Sequence, residues 1–275
     1  AQRTEMAAWV HDDVSKPLLQ GQEILAAVWD GAAWDAPAAV TNDTNIDTNP
    51  QIAFDDNDHA VLVWERVKTP SLPLTTTLDV TLTRQVEIAA AVYDVAGRTW
   101  TAPVLLTNNT VHDFGPKLVR SNDGSLLLVW LADPSGDYFA IDTPETIYAM
   151  RWNGSGWSAP AIIAADVPGI LDFSAAAGDA NTAALLLTRD LDDDPATEND
   201  DELFYSEWDG AAWSPLAQLT NDGVQDLSPT VLYDAAGALT SVWVRDNQLT
   251  MQSGGWAAPA TTVPMRPAWG NTSAR

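Results

Sequence analysis

The sequence predicts an all-β chain built from five four-stranded antiparallel sheets, and two recurring phrases with constant spacing predict it. The first phrase is Trp29-Asp-Gly-Ala-Ala-Trp34-Asp-Ala-Pro37. It returns at Tyr93 to Pro103, Trp152 to Pro160 and Trp208 to Pro215, and in worn form at Gly254 to Pro259. The second runs from a proline to a tryptophan: Pro50 to Trp64, Pro116 to Trp130 and Pro229 to Trp243, with Phe173 to Leu187 as a degenerate copy. Pro50, Pro116 and Pro229 follow Trp34, Trp100 and Trp213 at one constant interval.

Each phrase reads as a hairpin. In the first, an aromatic strand meets an Asp/Asn-Gly turn and returns. In the second, β-rich apolar runs flank Asp, Asn and Gly. Two hairpins make one unit of four strands, with A and B from the second phrase and C and D from the first. Repeated four-stranded units are the blades of a β-propeller. The expected blades of a single domain, 1–275, are 272–275 with 1–41, then 50–107, 116–164, 173–220 and 229–262.

The constant interval also predicts closure. Extended past Trp256, it puts a strand A at Thr272, whereas Trp9 ends a strand B whose strand A would precede Ala1. Residues from about Thr272 are therefore expected beside Met6 to Val10, closing the ring within one blade made from both termini. A closed ring leaves no open sheet edge. The competing reading is a piece of a longer repeat array.

Composition narrows the partners. The formal net charge is −25 and the only lysines are Lys16, Lys68 and Lys117. Such a surface repels phosphate backbones and anionic membranes, so nucleic acid and membrane insertion are not expected. No run of about 18 apolar residues is present, and no basic-then-apolar leader starts at Ala1. With no cysteine, neither a disulfide framework nor a Cys-ligated metal is available.

Most of the 13 tryptophans share three registers. Trp34, Trp100, Trp157, Trp213 and Trp256 mark strand D; Trp9, Trp64, Trp130 and Trp243 mark strand B; Trp29, Trp152 and Trp208 mark strand C. Residues repeated in every blade are expected to pack between neighbouring sheets rather than bind ligand. Trp269 lies outside these registers and is the tryptophan expected to touch a ligand.

The D–A loops repeat too, at Thr41-Asn-Asp, Thr107-Asn-Asn and Thr220-Asn-Asp. Asp47, Asp113 and Asp226 lie at one distance before the register proline, with Asp172 as a shifted equivalent. Strand B often ends in a cation, at Arg66, Arg189 and Arg245. Two readings follow: an Asp–Arg pair tying each blade, or a ring of carboxylates at the axis mouth holding a polar ligand or cation.

The B–C loops are long and differ between blades: His11 to Gln22, Arg66 to Val86, Ala132 to Glu145 and Arg189 to Glu202. Function on a rigid frame sits where loops vary, which points to the B–C/D–A face. One loop supplies many hard oxygens. Asp190, Asp192, Asp194 and Asp201 match the first, third, fifth and twelfth positions of a Ca²⁺ loop, although Pro195 replaces the turn glycine and the twelfth position is Asp rather than Glu. Leu78-Asp-Val80-Thr-Leu82-Thr alternates with period two and is expected to extend strand C.

The C–D turn resembles the Asp-box of sialidase-type propellers, a Ser-x-Asp-x-Gly-x-Thr-Trp pattern. The nearest copy, Asp94-Val-Ala-Gly97-Arg-Thr99-Trp100, has one extra residue before Gly and no leading Ser. The resemblance implies a bacterial, exported propeller. It does not carry sialidase activity, because the arginine cluster and the Tyr–acid nucleophile of that family do not map onto this chain. Five-bladed glycosidases place their acids on or beside the innermost strands, and here no strand A carries an acid before its terminal turn. Glycoside hydrolysis needs a carboxylate pair about 5 to 9 Å apart. No nucleophile elbow, phosphate loop or His-x-x-x-His pair occurs, and His11, His59 and His112 are scattered. The sequence therefore favours a non-catalytic extracellular, surface or periplasmic module that binds a glycan or protein on its loop face. The alternatives are a glycan-active hydrolase and a structural segment of a larger surface protein.

Overall fold

The computed structural model of the chain describes residues 5–17, 20–68, 80–136, 143–192, 194, 197 and 199–263. They form five antiparallel sheets. Sheet 1 contains β1 (Glu5–Asp12), β2 (Gln22–Trp29) and β3 (Ala38–Ala39). Sheet 2 contains β4 (Ile46–Phe54), β5 (Ala60–Val67), β6 (Val86–Asp94) and β7 (Thr99–Trp100), with β8 (Val104–Leu105) also on β6. Sheet 3 is β9 (His112–Arg120), β10 (Leu126–Asp133), β11 (Glu145–Trp152) and β12 (Ala161–Val167). Sheet 4 is β13 (Ile170–Asp179), β14 (Thr182–Asp190), β15 (Asp201–Trp208) and β16 (Ala217–Gln218). Sheet 5 is β17 (Asp226–Tyr233), β18 (Leu239–Arg245), β19 (Gln248–Ser253) and β20 (Thr261–Thr262). Strand order within each sheet follows the chain, as stacked hairpins require. Thr272 to Arg275, the expected fourth strand of sheet 1, and Trp269 lie outside the described residues.

The strand B segments explain the stacking. Leu126, Leu128 and Trp130 face Val61 and Val63 of sheet 2, whereas Leu127, Val129 and Leu131 face Phe173 and Leu185 of sheet 4. A strand covered on both faces reads as an unbroken apolar run, and Leu126 to Leu131 is such a run. Further clusters join sheet 1 to sheet 2 around Ile24 and Trp64, and sheet 4 to sheet 5 around Leu186 and Trp243. β18 instead alternates buried and half-buried positions.

The C–D turns are Asx turns. Asp30 Oδ1 accepts the backbone N–H groups of Ala32 and Ala33, and Asp209 Oδ1 accepts those of Ala211 and Ala212. This geometry explains the Asp-Gly phrase. The tryptophans divide into two classes. Trp64, Trp130 and Trp243 of strand B are buried between sheets, as expected. In four hairpins the C and D aromatics pair with each other, as Trp29 with Trp34 at 5.7 Å and Trp208 with Trp213 at 6.0 Å between ring centroids, whereas Trp256 stacks on Tyr205 of the neighbouring sheet at 4.5 Å. Trp34 is 48% exposed, which corrects the expectation of inter-sheet packing for that residue: its partner lies across the turn rather than on the next sheet. Trp152 does bridge sheets, donating from Nε1 to Asp55 Oδ2 at 2.9 Å.

Of the expected strand over Leu78 to Thr83, Leu78 and Asp79 lie outside the described residues, and the rest is corrected. Val80–Thr83 form one helical turn. The Thr83 hydroxyl donates to the Gly136 carbonyl, and Arg84 Nη2 donates to the Ser135 carbonyl at 2.8 Å. Contacts with the neighbouring loop set its shape, and a few alternating residues are too short a signal to oppose them.

Candidate functional site

The repeated aspartates of strand A meet the tryptophans of strand B. Trp64 Nε1 donates to Asp47 Oδ1 at 2.6 Å, Trp130 Nε1 to Asp113 Oδ1 at 2.8 Å, and Trp243 Nε1 to Asp226 Oδ1 at 2.7 Å. A bulge aims each aspartate. The register shifts between Thr48 and Gln51, and between Leu227 and Thr230. The residue before the register proline takes positive φ at Asn49, Gly115 and Ser228.

Arginine completes this unit in two sheets. Arg66 Nε lies 3.1 Å from Asp47 Oδ1 and its Nη2 lies 3.3 Å from Oδ2; the same guanidinium pairs with Asp43. Arg245 Nη1 donates to Asp226 Oδ2 at 2.8 Å and pairs with Asp222 through Nη2. In sheet 3 the register position is Ala132, which pairs with Asp113 across β9 and β10. There the Asn109 amide donates to Asp113 Oδ2 at 2.8 Å. Burial raises all three carboxyls, Asp47 and Asp113 to about 6, with Arg66 pulling the first back down and Trp130 and Asn109 the second.

A glutamate that the repeat analysis passed over fixes the D–A loops. Glu23, Glu87 and Glu202 start strand C and accept the backbone N–H of Asp43, Asn109 and Asp222 at 2.9, 2.8 and 2.6 Å. Thr41, Thr107 and Thr220 accept the N–H of the next strand C residue. The Thr-Asn-Asp repeat is thus a loop clamp. Lys16 engages Glu23 and Lys68 engages Glu87.

Sheet 4 departs from the pattern. Arg189 pairs in register with Ile170, not with Asp172, and the strand B position of Trp64 holds Leu187. A hydrogen-bonded Trp–Asp couple is replaced by two apolar side chains of the same cluster. Arg189 Nε donates to the Pro168 carbonyl at 2.8 Å and its guanidinium lies 4.8 Å from the Phe204 ring centroid. Asp172 is exposed and caps its neighbour, accepting the Phe173 N–H.

Asp172 lines a cavity of about 270 Å³ formed by the strand A segments of four sheets. Gln51, Lys117, Ser174 and Thr230 line it too, and Lys117 Nζ lies 5.6 Å from the Phe173 ring centroid. This cavity between inner strands presents one carboxylate and one ammonium. A second cavity, of about 280 Å³, lies under the D–A loop against sheet 3. Asn108, Asn109, Asp113, Trp130, Ala132 and Tyr148 line it.

The acidic loop brings the carboxylate oxygens of Asp190, Asp192 and Asp200 within 4.8 Å of one another. Asp200 was not among the residues matched to a Ca²⁺ loop. Asp194 donates its backbone N–H to Asp192, and Asp201 accepts from Gln225 Nε2 at 2.8 Å.

Against this geometry, solved structures supply the comparison. A Hadza microbial sialidase aligns over 97% of the chain at 10% identity with a TM-score of 0.58. The chain shares an all-β, propeller-like fold with it. An ulvan lyase aligns over 89% at 12% identity and TM-score 0.53. An α-L-arabinanase of Penicillium chrysogenum aligns over 79% at 13% identity and TM-score 0.50. The chain spans 57% of the sialidase, 61% of the lyase and 66% of the arabinanase. No family model matches the sequence, and no curated protein matches it.

Proposed function

We propose that the chain is a non-catalytic binding module that holds a glycan or a protein on its B–C/D–A face, in an extracellular or periplasmic setting. The observation that carries this reading is the fate of the repeated carboxylates. Asp47 and Asp226 are fully buried, each bonded to a buried indole and paired with an arginine. Carboxyls held that way brace a blade and do not form a facing pair open to a glycoside. The inner cavity offers Asp172 beside Lys117, a polar pair suited to a neutral or zwitterionic ligand, where hydrolysis of a glycoside needs two facing carboxyls. As part of the same proposal, the five sheets form a closed ring, with 272–275 as the missing strand of sheet 1.

The second reading is a glycan-active hydrolase, favoured by the sialidase and arabinanase among the structural neighbours. One experiment separates the two. The chain is applied to a glycan array and, in parallel, to a panel of chromogenic glycosides. The binding reading expects retention of a ligand with no release of chromophore, and loss of retention in Asp172→Asn or Lys117→Ala. Turnover of any glycoside, abolished in Asp172→Asn, would replace it with the hydrolase.

A further inference from the structure

The cavity against sheet 3 exists because one member of a repeated unit is missing. In sheets 2 and 5 strand B reads Trp-x-Arg, and the guanidinium lies against the strand A aspartate. In sheet 3 the same stretch reads Trp130-Leu131-Ala132, while Asp113 and its indole bond are retained. Truncation from arginine to alanine leaves space above a buried carboxylate, and both Asp113 and Ala132 line the resulting cavity.

The loop residue changes in step. Asp43 and Asp222 contact the arginines in the sister sheets, and Asn109 replaces them here. Trp130 Nε1 donates to Asp113 Oδ1 and Asn109 Nδ2 to Oδ2, and the Glu87 carboxyl lies against the same group, adding a second acidic side chain beside it. A carboxylate has about four acceptor sites, and Asp47 takes N–H groups from Trp64 and Arg66 while its ion pair with Arg66 fills the rest of that side. Lys68, the nearby ammonium, is engaged by Glu87, Asn108 and the Asn109 carbonyl. The wall opposite is aromatic, Tyr148 stacked on Trp130 with centroids 5.4 Å apart. A carboxylate floor with an aromatic wall suits a planar cation.

We propose that this cavity receives a guanidinium group from outside the chain, the arginine side chain of a protein partner, in the place that Arg66 and Arg245 fill from within in the sister sheets. Tyr148 and Trp130 form the aromatic wall beside it, Asp113 accepts its N–H groups, and the loop residues Asn108 and Asn109 line the same cavity. The net charge of −25 draws basic partners toward the surface. The proposal rests on the binding reading above and names the ligand chemistry at one corner of that face.

The test is titration of the full chain, by calorimetry and ligand-observed NMR, with the capped peptide Gly-Arg-Gly. Agmatine serves as a free guanidinium, and the citrulline peptide as a neutral shape match. Expected is saturable binding of the arginine peptide, at least tenfold weaker binding of the citrulline peptide, and loss of binding in Asp113→Asn. Ala132→Arg, which refills the cavity from within as in sheets 2 and 5, is expected to abolish binding while raising the thermal midpoint. If that variant does not fold, Ala132→Leu closes the same space and the same loss is expected. Agmatine binding as tightly as the peptide would assign the site to a free small cation and overturn the protein-partner assignment. No binding by the parent chain, equal binding of the citrulline peptide, or unchanged binding in the cavity-filled variant would overturn the whole proposal. A glycan-array hit without guanidinium binding would sink this proposal and leave the binding reading standing; glycosidase turnover would sink that reading.

Discussion

Replacing Asp226 by alanine strips the acceptor from the Trp243 indole and from one arm of the Arg245 guanidinium. The indole N–H is buried and the guanidinium partly so, and donors left unsatisfied cost more than the bond itself. Asp226→Ala is expected to lower unfolding free energy by about 3 kcal/mol in urea titration, whereas Asp172→Ala, exposed and bonded only to its neighbour, should stay within about 0.5 kcal/mol. Equal losses would contradict the assignment of the two aspartates to different roles. The same burial sets a pH dependence. Asp47 and Asp113 titrate at about 6 and Glu145 at about 7 in the fold, each pushed up chiefly by burial. Unfolded carboxylates titrate near 4. The folded state thus holds more protons in that window, and stability falls as pH rises from about 4 to about 7. His112, pushed down to about 4 by burial, acts oppositely, gaining stability as pH rises toward about 6.5. Burial raises Asp226 and Glu202 as well, so above about pH 5, where the lowered Asp55 and Asp123 no longer contribute a slope, falling contributions outnumber the rising one. Thermal midpoints measured from about pH 5 to 8 should therefore drop across that range, with a shallower drop in Asp113→Asn; a monotonic rise would refute the account.

At the scale of the hairpin, one residue type does two jobs. Trp64 fills the space between sheets 1 and 2 and is fully buried, whereas Trp34 lies on Trp29 across a turn and is half exposed. Trp64→Ala should cost about 4 kcal/mol and Trp34→Ala about 1 kcal/mol, read from denaturant midpoints. The repeat gives both residues strand positions and one expected role, because periodicity reports which positions recur and not how wide the gap beside each is. The same limit explains Val80–Thr83, where alternation promised a strand and the chain forms a helical turn against the neighbouring loop. The loop clamps built on Glu23, Glu87 and Glu202 were readable in principle, since each glutamate lies at a constant distance before Trp29, Tyr93 or Trp208.

Across the whole molecule, the inner sheets carry strand B segments buried on both faces, and β18 carries one that is buried on alternate positions. Stacking therefore stabilises sheets 2, 3 and 4 most, and sheets 1 and 5 depend on what joins them. With closure through 272–275, deleting residues 264–275 should lower the thermal midpoint by about 5 °C, and the amides of β1 should lose exchange protection first. An unchanged midpoint and unchanged β1 protection would remove the ring. Of the candidate site, the sequence singled out the repeated aspartates of strand A and the arginines that end strand B. It did not reveal the two cavities, whose linings come from strands and loops far apart along the chain.

The chain's own order of residues determined the repeat of hairpin units and the turns within them, since hairpins and Asx turns are local and their periods are written in neighbouring residues. Only the tertiary structure decided which repeated side chains brace a blade and which face open space. Asp113 and Asp226 are indistinguishable as letters; one lies under an arginine and the other beside a cavity, because the residue two positions after each paired tryptophan comes from another strand. Burial and empty volume are properties of what packs together in space, and no local pattern encodes them.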